Sequence, residues 1–180
     1  LRVFQVRDLN ARYLDRKWQT RAVGGTLNYF TSFKWDLQSG TSFSARAYEN
    51  AEAECVIGSK VYEELFKGED AIGKTIQIAQ LPSKVVGVLK ERGGSFGNPN
   101  IDDRVVMPLT TVMSRLASEK RFLSMVRLKT NRDVETTIED VRMALRRNHG
   151  IPDGAEDNFM TRSSKDILQF VSVISGSLFL

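Results

Sequence analysis

The stretch from Gly68 to Thr75, GEDAIGKT, satisfies the phosphate-loop pattern G-x-x-x-x-G-K-S/T letter for letter. Such a loop works because a buried strand delivers the chain into a tight glycine turn and a helix leaves it. Backbone N–H groups at the helix N-terminus then point at the phosphates. Here the residue pattern puts the elements in the reverse order. KVYEELF, with helical apolar spacing, enters the loop, and TIQIAQ, which alternates polar and apolar residues, leaves it as a half-buried strand. Glu69 and Asp70 add two negative charges inside the cradle, where the ligand is itself an anion. No apolar strand ending in Asp is at hand to hold Mg²⁺. The expectation is a helix-to-strand turn, and a nucleotide hydrolase is the weakest reading of the chain.

A second glycine cluster, GGSFGNPN, follows an apolar run and leads into another one, so it has no helix N-terminus behind it either. It reads as a loop over residues 92–103. An aromatic residue amid glycines on a loop is suited to touching a partner protein. The candidate contact residues are Gly93, Gly94, Ser95, Phe96, Gly97 and Asn98. Asp102 and Asp103 are adjacent, so in an extended chain they face opposite ways and make no paired-carboxylate site. His149 is the only histidine and sits in RRNHGIPDG, the signature of a helix C-terminus stopped by Gly150 and Pro152. Cys55, the only cysteine, lies in the apolar run AECVIG and reads as a small buried hydrophobe. One cysteine allows no disulfide within the chain, and one histidine leaves no partner for a zinc motif. No catalytic constellation, cofactor site or metal site emerges.

The chain has 180 residues, 41% hydrophobic and 27% charged, which suits one sizeable core or two small lobes. Lys and Arg number 26 against 22 Asp and Glu, a net charge of +4. The basic residues are interspersed with acids, as in EDVRMALRRN, so the concentrated footprint of a nucleic-acid binder is missing. The sequence opens at Leu1 without a methionine and closes with ILQFVSVISGSLFL, Ile167 to Leu180, which contains no charged residue. That run is shorter than the about 20 residues needed to cross a bilayer. Both features fit a piece of a longer protein, with the C-terminal run continuing toward a membrane.

Periodicity gives a mixed α/β order. RVFQV and WQTRAVGGT read as strands. Ser44 caps a helix over ARAYENAE, and CVIG is a buried strand. Ser59 caps KVYEELF, which Gly68 ends. KTIQIAQ and KVVGVLKE are strands separated by LPS, and RVVMP is another. Pro108 opens a helix with Leu109, Val112, Met113 and Leu116 on one face. RFLSMVRLK is a strand, and Asp133 caps a helix with the stripe Val134, Ile138, Val141 and Leu145. DNFMT is a last strand before a C-terminal helix starting near Ser163 or Ser164. The region from about Trp35 to Val106, rich in short strands, looks like a separate lobe.

RAVGGTLNYF, CVIGSKVYEELFKGEDAIGKTIQI, VVGVLKERGGSFGN and DDRVVMPLTTVMSRL occur in the order and spacing of the periplasmic core domain of MacB-type (FtsX-like) ABC transporter permeases. The chain resembles that family over nearly its whole length, most specifically from Cys55 to Leu109. The resemblance implies an α+β, two-lobed domain: a porter-like α/β lobe from residues 1–30 and 120–162, a strand-rich sabre-like lobe at 31–119, and a stalk entering the second membrane helix at 163–180. It implies an extracytoplasmic place on the bacterial inner membrane, between two flanking membrane helices. It also implies a non-catalytic role, with ATP hydrolysis in a separate cytoplasmic domain or subunit whose motion the stalks carry outward. The implied partners are a second permease copy in a homodimer, that ATPase, and a periplasmic adaptor with an outer-membrane channel. A related permease for lipoprotein release or cell-wall hydrolase regulation would use the same fold.

Overall fold

The protein is described by a computed structural model that covers residues 2–94, 100–116, 122–126 and 131–161. It divides into two compact units, Leu1–Arg127 and Leu128–Leu180. The expected C-terminal helix from Ser163 and the run to Leu180 lie outside the described residues.

In the first unit, β1 (Arg2–Tyr13) and β2 (Arg16–Gly25) form a long antiparallel hairpin. β1 is far longer than RVFQV because a bulge interrupts its alternation. The register shifts between Val6 and Leu9, and Asp8 takes a positive φ of 57°. Phe4 and Val6 before the shift and Leu9, Ala11 and Tyr13 after it therefore reach the same core despite their opposite parity. A short helix α1 (Tyr29–Ser32) and strand β3 (Leu37–Gly40) follow, neither of which the alternation signals.

Helix α2 (Ala45–Glu49) is capped as expected: Ser44 Oγ accepts from the Ala47 N–H at 3.0 Å. β4 (Glu54–Ile57) then leads into α3 (Ser59–Phe66). Here the cap is Gly58 rather than Ser59, and the helix ends at Lys67, in the left-handed region at φ 52°, rather than at Gly68. A Cβ on Gly58 would lie 2.0 Å from the Asp102 carbonyl oxygen, so only glycine fits where β4 turns into the helix. Ser59 is pushed one place inward, buried, with its Oγ unpartnered.

β5 (Thr75–Ile78) and β6 (Leu81–Leu89) meet at the two-residue turn Ala79-Gln80. The LPS stretch is thus the start of a strand and no spacer. Pro82 stands opposite Gln77, near the strand's first residue, where a missing N–H is tolerated. β7 (Val105–Pro108) passes into α4 (Leu109–Thr111), which continues as a π-helical turn over Val112–Leu116. The wider turn rotates the apolar face, so Val112 is buried while Met113, expected beside it, is 56% exposed. β8 (Phe122–Val126) pairs with β1.

The strand pairings close on themselves. β1 pairs β2, β2 pairs β7, β7 pairs β4, β4 pairs β6, β6 pairs β5, and β5 returns to β1. Each of these six strands has a neighbour on both edges, which protects them from edge-to-edge association. β3 adds to β6 outside the circuit. Adjacent residues serve opposite cores. Ala22, Ile57, Val88 and Val105 join the cluster under α3, with Phe66, Ile76 and Met107. Val23, Val56, Leu89 and Val106 join Tyr29, Phe30, Trp35 and Phe43 on the other side. Two-sided burial is why CVIG and RVVMP read as unbroken apolar runs. Each large side chain so buried contributes about 1.5–3 kcal/mol.

In the second unit, α5 (Val134–His149) is capped as expected, with the Asp133 side chain accepting from Thr136 N and Gly150 closing the other end at φ 64°. The stripe residues Ile138, Val141 and Leu145 are half-buried, and Val134 is exposed. The expected strand DNFMT is a correction: residues 151–161 form turns. Side chains, rather than a ladder, bind this segment. Arg142 and Arg146 both grip Asp157, at 2.7 and 2.5 Å, and Arg146 also donates to the carbonyls of Pro152 and Ala155. No helix among the described residues is long and apolar enough to cross a membrane.

Candidate partner-contact site

The loop expected over residues 92–103 leaves β6 and enters β7, and its two ends are pinned by side chains on the first unit. Asp102 closes the neck. Its carboxylate accepts from Arg92 N at 3.0 and 3.2 Å and from Gly93 N at 2.7 Å. Gly93 sits at φ 70°, a left-handed turn that glycine makes without strain. Asp103 faces the other way, as adjacent residues of an extended chain do. Its Oδ1 accepts from Trp18 Nε1 at 3.1 Å and Thr20 Oγ1 at 2.6 Å. Arg21 Nε donates to the Asp103 carbonyl at 3.1 Å, and Arg21 Nη2 donates to that of Asn100.

Two guanidiniums complete the neck at Trp35. Arg92 lies 4.0 Å and Arg104 5.2 Å from the indole centroid, both within cation–π range. Arg92 Nη2 also donates to the Phe33 carbonyl at 3.1 Å and to that of Lys34, tying the loop to the end of α1. Arg104 is buried, and donates to Ile101 O at 2.5 Å and Tyr29 Oη at 3.1 Å. The result is a neck held by charge-assisted bonds on β2, α1 and β7.

Of the expected contact residues, Gly93 is half-buried in this neck and Gly94 is exposed. Ser95, Phe96, Gly97 and Asn98 lie outside the described residues. Sequence reasoning missed the anchors Trp35, Arg92 and Arg104. The available signal was the ERGG…DDR bracket, charges at both ends of a glycine loop, which is meaningful only once the ends are known to meet.

The phosphate-loop look-alike is a helix–turn–strand, as its flanks indicate. Its amides are turned to the protein itself. Glu69 N donates to Phe66 O at 3.0 Å, Gly73 N to Val85 O at 2.8 Å and Lys74 N to Ala71 O at 3.2 Å. Ile72 N donates to Asp70 Oδ1 at 3.0 Å. Glu69 is engaged by Arg16 at 2.5 Å, and Ala71 is buried. Cys55 is fully buried, and burial, with the Glu54 charge, pushes its thiol far above the usual range, so it carries no thiolate. His149 ends α5, with Nδ1 2.7 Å from Asn158 Oδ1 and its ring edge-on to Phe159. Among the described residues no three His, Cys, Asp or Glu side chains gather as metal ligands.

Solved structures share this architecture. The periplasmic region of MacB from Actinobacillus actinomycetemcomitans aligns with a TM-score of 0.73 over 94% of this chain and 75% of that one, at 16% identity. The extracellular domain of the noncanonic ABC-type transporter YknZ from Gram-positive bacteria aligns at 0.68, over 84% and 77%, at 23% identity. The two share this chain's fold. The MacB-like periplasmic core domain family matches residues 2–144, and the chain belongs to that family. Among curated relatives, the macrolide export ATP-binding/permease protein MacB of Rhodopirellula baltica is 37% identical over 58% of this chain. The pyoverdine export ATP-binding/permease protein PvdT of Pseudomonas savastanoi pv. phaseolicola is 33% identical over 79% of it. The chain spans only 16% and 22% of those relatives' lengths.

Proposed function

We propose that the chain is the extracytoplasmic domain of an ABC exporter permease, which transmits ATP-driven motion outward and presents the 92–103 loop to substrate or an adaptor protein. The family match over residues 2–144 carries the reading. The names of the relatives, which pair an ATP-binding part with a permease and an export role, support it. In this reading the domain is non-catalytic and ATP is hydrolysed by a cytoplasmic domain or subunit. The protein works as a homodimer, with flanking membrane helices, a periplasmic adaptor and an outer-membrane channel as further partners. The division into a porter-like lobe (1–30 and 120–162) and a sabre-like lobe (31–119), with 163–180 as a stalk, belongs to the same proposal.

The firm neck made by Asp102, Asp103, Arg92 and Arg104 supports the contact role, because a docking loop on a fixed base loses less entropy on binding. The test is Phe96→Cys in the full-length permease. A membrane-impermeant maleimide should label it in spheroplasts, since the native Cys55 is buried. Phe96→Ala should reduce export while leaving protein amount and melting temperature unchanged. Labelling only after lysis would defeat the extracytoplasmic location. Wild-type export in Phe96→Ala would defeat the contact role.

A further inference from the structure

On the side of β1, β2 and β5 that faces away from the α3 core, an open depression of about 590 Å³ is lined by Asn10, Arg12, Lys17, Gln77, Ala79 and Gln80. Its arrangement is fixed by the backbone. Arg12 stands directly opposite Lys17 on β2 and Gln77 on β5, so the three side chains share one face. Asn10 is two residues before Arg12 and joins them. The β5–β6 turn is held against the floor by the Ala79 N–H, which donates to Asn10 O at 2.8 Å. The opposite face of the same strands is sealed by Ala11, Ile76 and Ile78, all fully buried.

What sets this face apart is the cross-strand placing of two cations among amides. Arg16, Arg46, Lys60, Arg132, Arg142 and Arg146 each meet a carboxylate. Among the described residues Arg12 and Lys17 have none, although they form a cross-strand pair of like charge, which costs stability. Three primary amides surround the pair and can both donate and accept. A guanidinium fork beside an ammonium matches an oxyanion, and the amides match carbonyl or hydroxyl groups next to it. Strand pairing on both sides of β1 keeps the two cations in place without help from a loop.

We infer that this face is a subsite for a polycarboxylate-bearing ligand, with Arg12 and Lys17 as the charged contacts and Asn10, Gln77 and Gln80 as the neutral ones. It stands on the β2–β1–β5 geometry alone and does not depend on the exporter reading. Citrate is the probe, titrated calorimetrically into the 180-residue chain at low salt. Saturable binding is expected, weakened at least tenfold by Arg12→Gln and by Lys17→Gln. It should stay within twofold in Arg147→Gln, a control that removes an exposed cation from α5. Raising the salt should weaken binding to the parent chain more than to either depression variant. Because both side chains are exposed, the variants should keep the fold, and Lys17→Gln should raise the melting temperature without ligand. No saturable heat, equal weakening by Arg147→Gln, or a lowered melting temperature in Lys17→Gln would each overturn the assignment.

Discussion

The Arg92 guanidinium lies 4.0 Å from the Trp35 ring centroid while its Nη2 donates to the Phe33 carbonyl, so one side chain fastens a loop to both an indole and a helix end. Trp35 is 7% exposed, while the guanidinium over it is exposed to water. Arg92→Ala is expected to lower stability by about 1–2 kcal/mol, the sum of an exposed cation–π contact and a charge-assisted bond. Arg92→Lys keeps the charge but not the planar fork, and should recover no more than half of the loss in urea unfolding.

Asp102 acts on the same neck through the backbone. Its carboxylate takes the amides of Arg92 and Gly93, and no other group replaces it if it is truncated. Asp102→Ala should make those two amides exchange with solvent roughly tenfold faster, a cost of about 1.4 kcal/mol at the neck, with little change in the global unfolding midpoint. Equal protection in parent and variant would show that Asp102 does not hold the neck.

Asp103 ties the end of the loop to β2. Thr20 is buried, and loses its acceptor when Asp103 is removed. Asp103→Ala is expected to destabilise the first unit by on the order of 2 kcal/mol, seen as a lower urea midpoint with an unchanged slope. Asp103→Asn keeps an acceptor for one donor and should fall between.

What the sequence shows of all this depends on distance along the chain. The caps at Ser44 and Asp133 were legible because each side chain reaches an amide three residues on, a spacing visible in the letters. The turn nature of GEDAIGKT was legible for the same reason, since its flanks carry opposite periodicities. The length of β1 was not, because the bulge at Asp8 reverses the parity of the apolar residues. Nor was the place of the α3 cap at Gly58 rather than Ser59, where the Asp102 carbonyl, 44 positions away by residue number, leaves room only for glycine. The family's order of segments identified the fold, but the anchors that tie the neck to β2 and α1 join residues more than 50 positions apart, and no local pattern encodes such a meeting.

The look-alike loop gives a direct binding test. With the amides of Glu69, Ile72, Gly73 and Lys74 already donated inward, there is no row of N–H groups left to receive phosphates. Millimolar Mg·ATP should produce no saturable heat with the chain. Binding that disappears in Lys74→Ala would restore the phosphate-loop reading.

The last prediction concerns acid. Asp133 is held below the usual carboxylate range chiefly by the Thr136 backbone N–H, which donates to Oδ2 at 2.8 Å, and then by the Thr136 hydroxyl. For Asp157, desolvation pushes the carboxyl up, but hydrogen bonds and charge from Arg146 and Arg142 outweigh it, and the net direction is down. A carboxyl depressed in the folded state stabilises that state at every pH above its unfolded value, about 3.9, and loses the contribution as pH falls through the folded value. Both groups lie at the ends of α5, one at its N-cap and one clasping its last turns, so the loss should appear first in that helix. Amide exchange in α5 should accelerate as pH drops from about 4 toward 2, after correction for the intrinsic rate, ahead of exchange in β7, whose four residues carry no carboxylate. Asp133→Asn and Asp157→Asn should each be less stable than the parent at neutral pH and converge with it in acid. If either variant keeps its neutral-pH deficit undiminished at pH 2, its ionised form contributes nothing to α5, and the assigned cause of the shift is wrong.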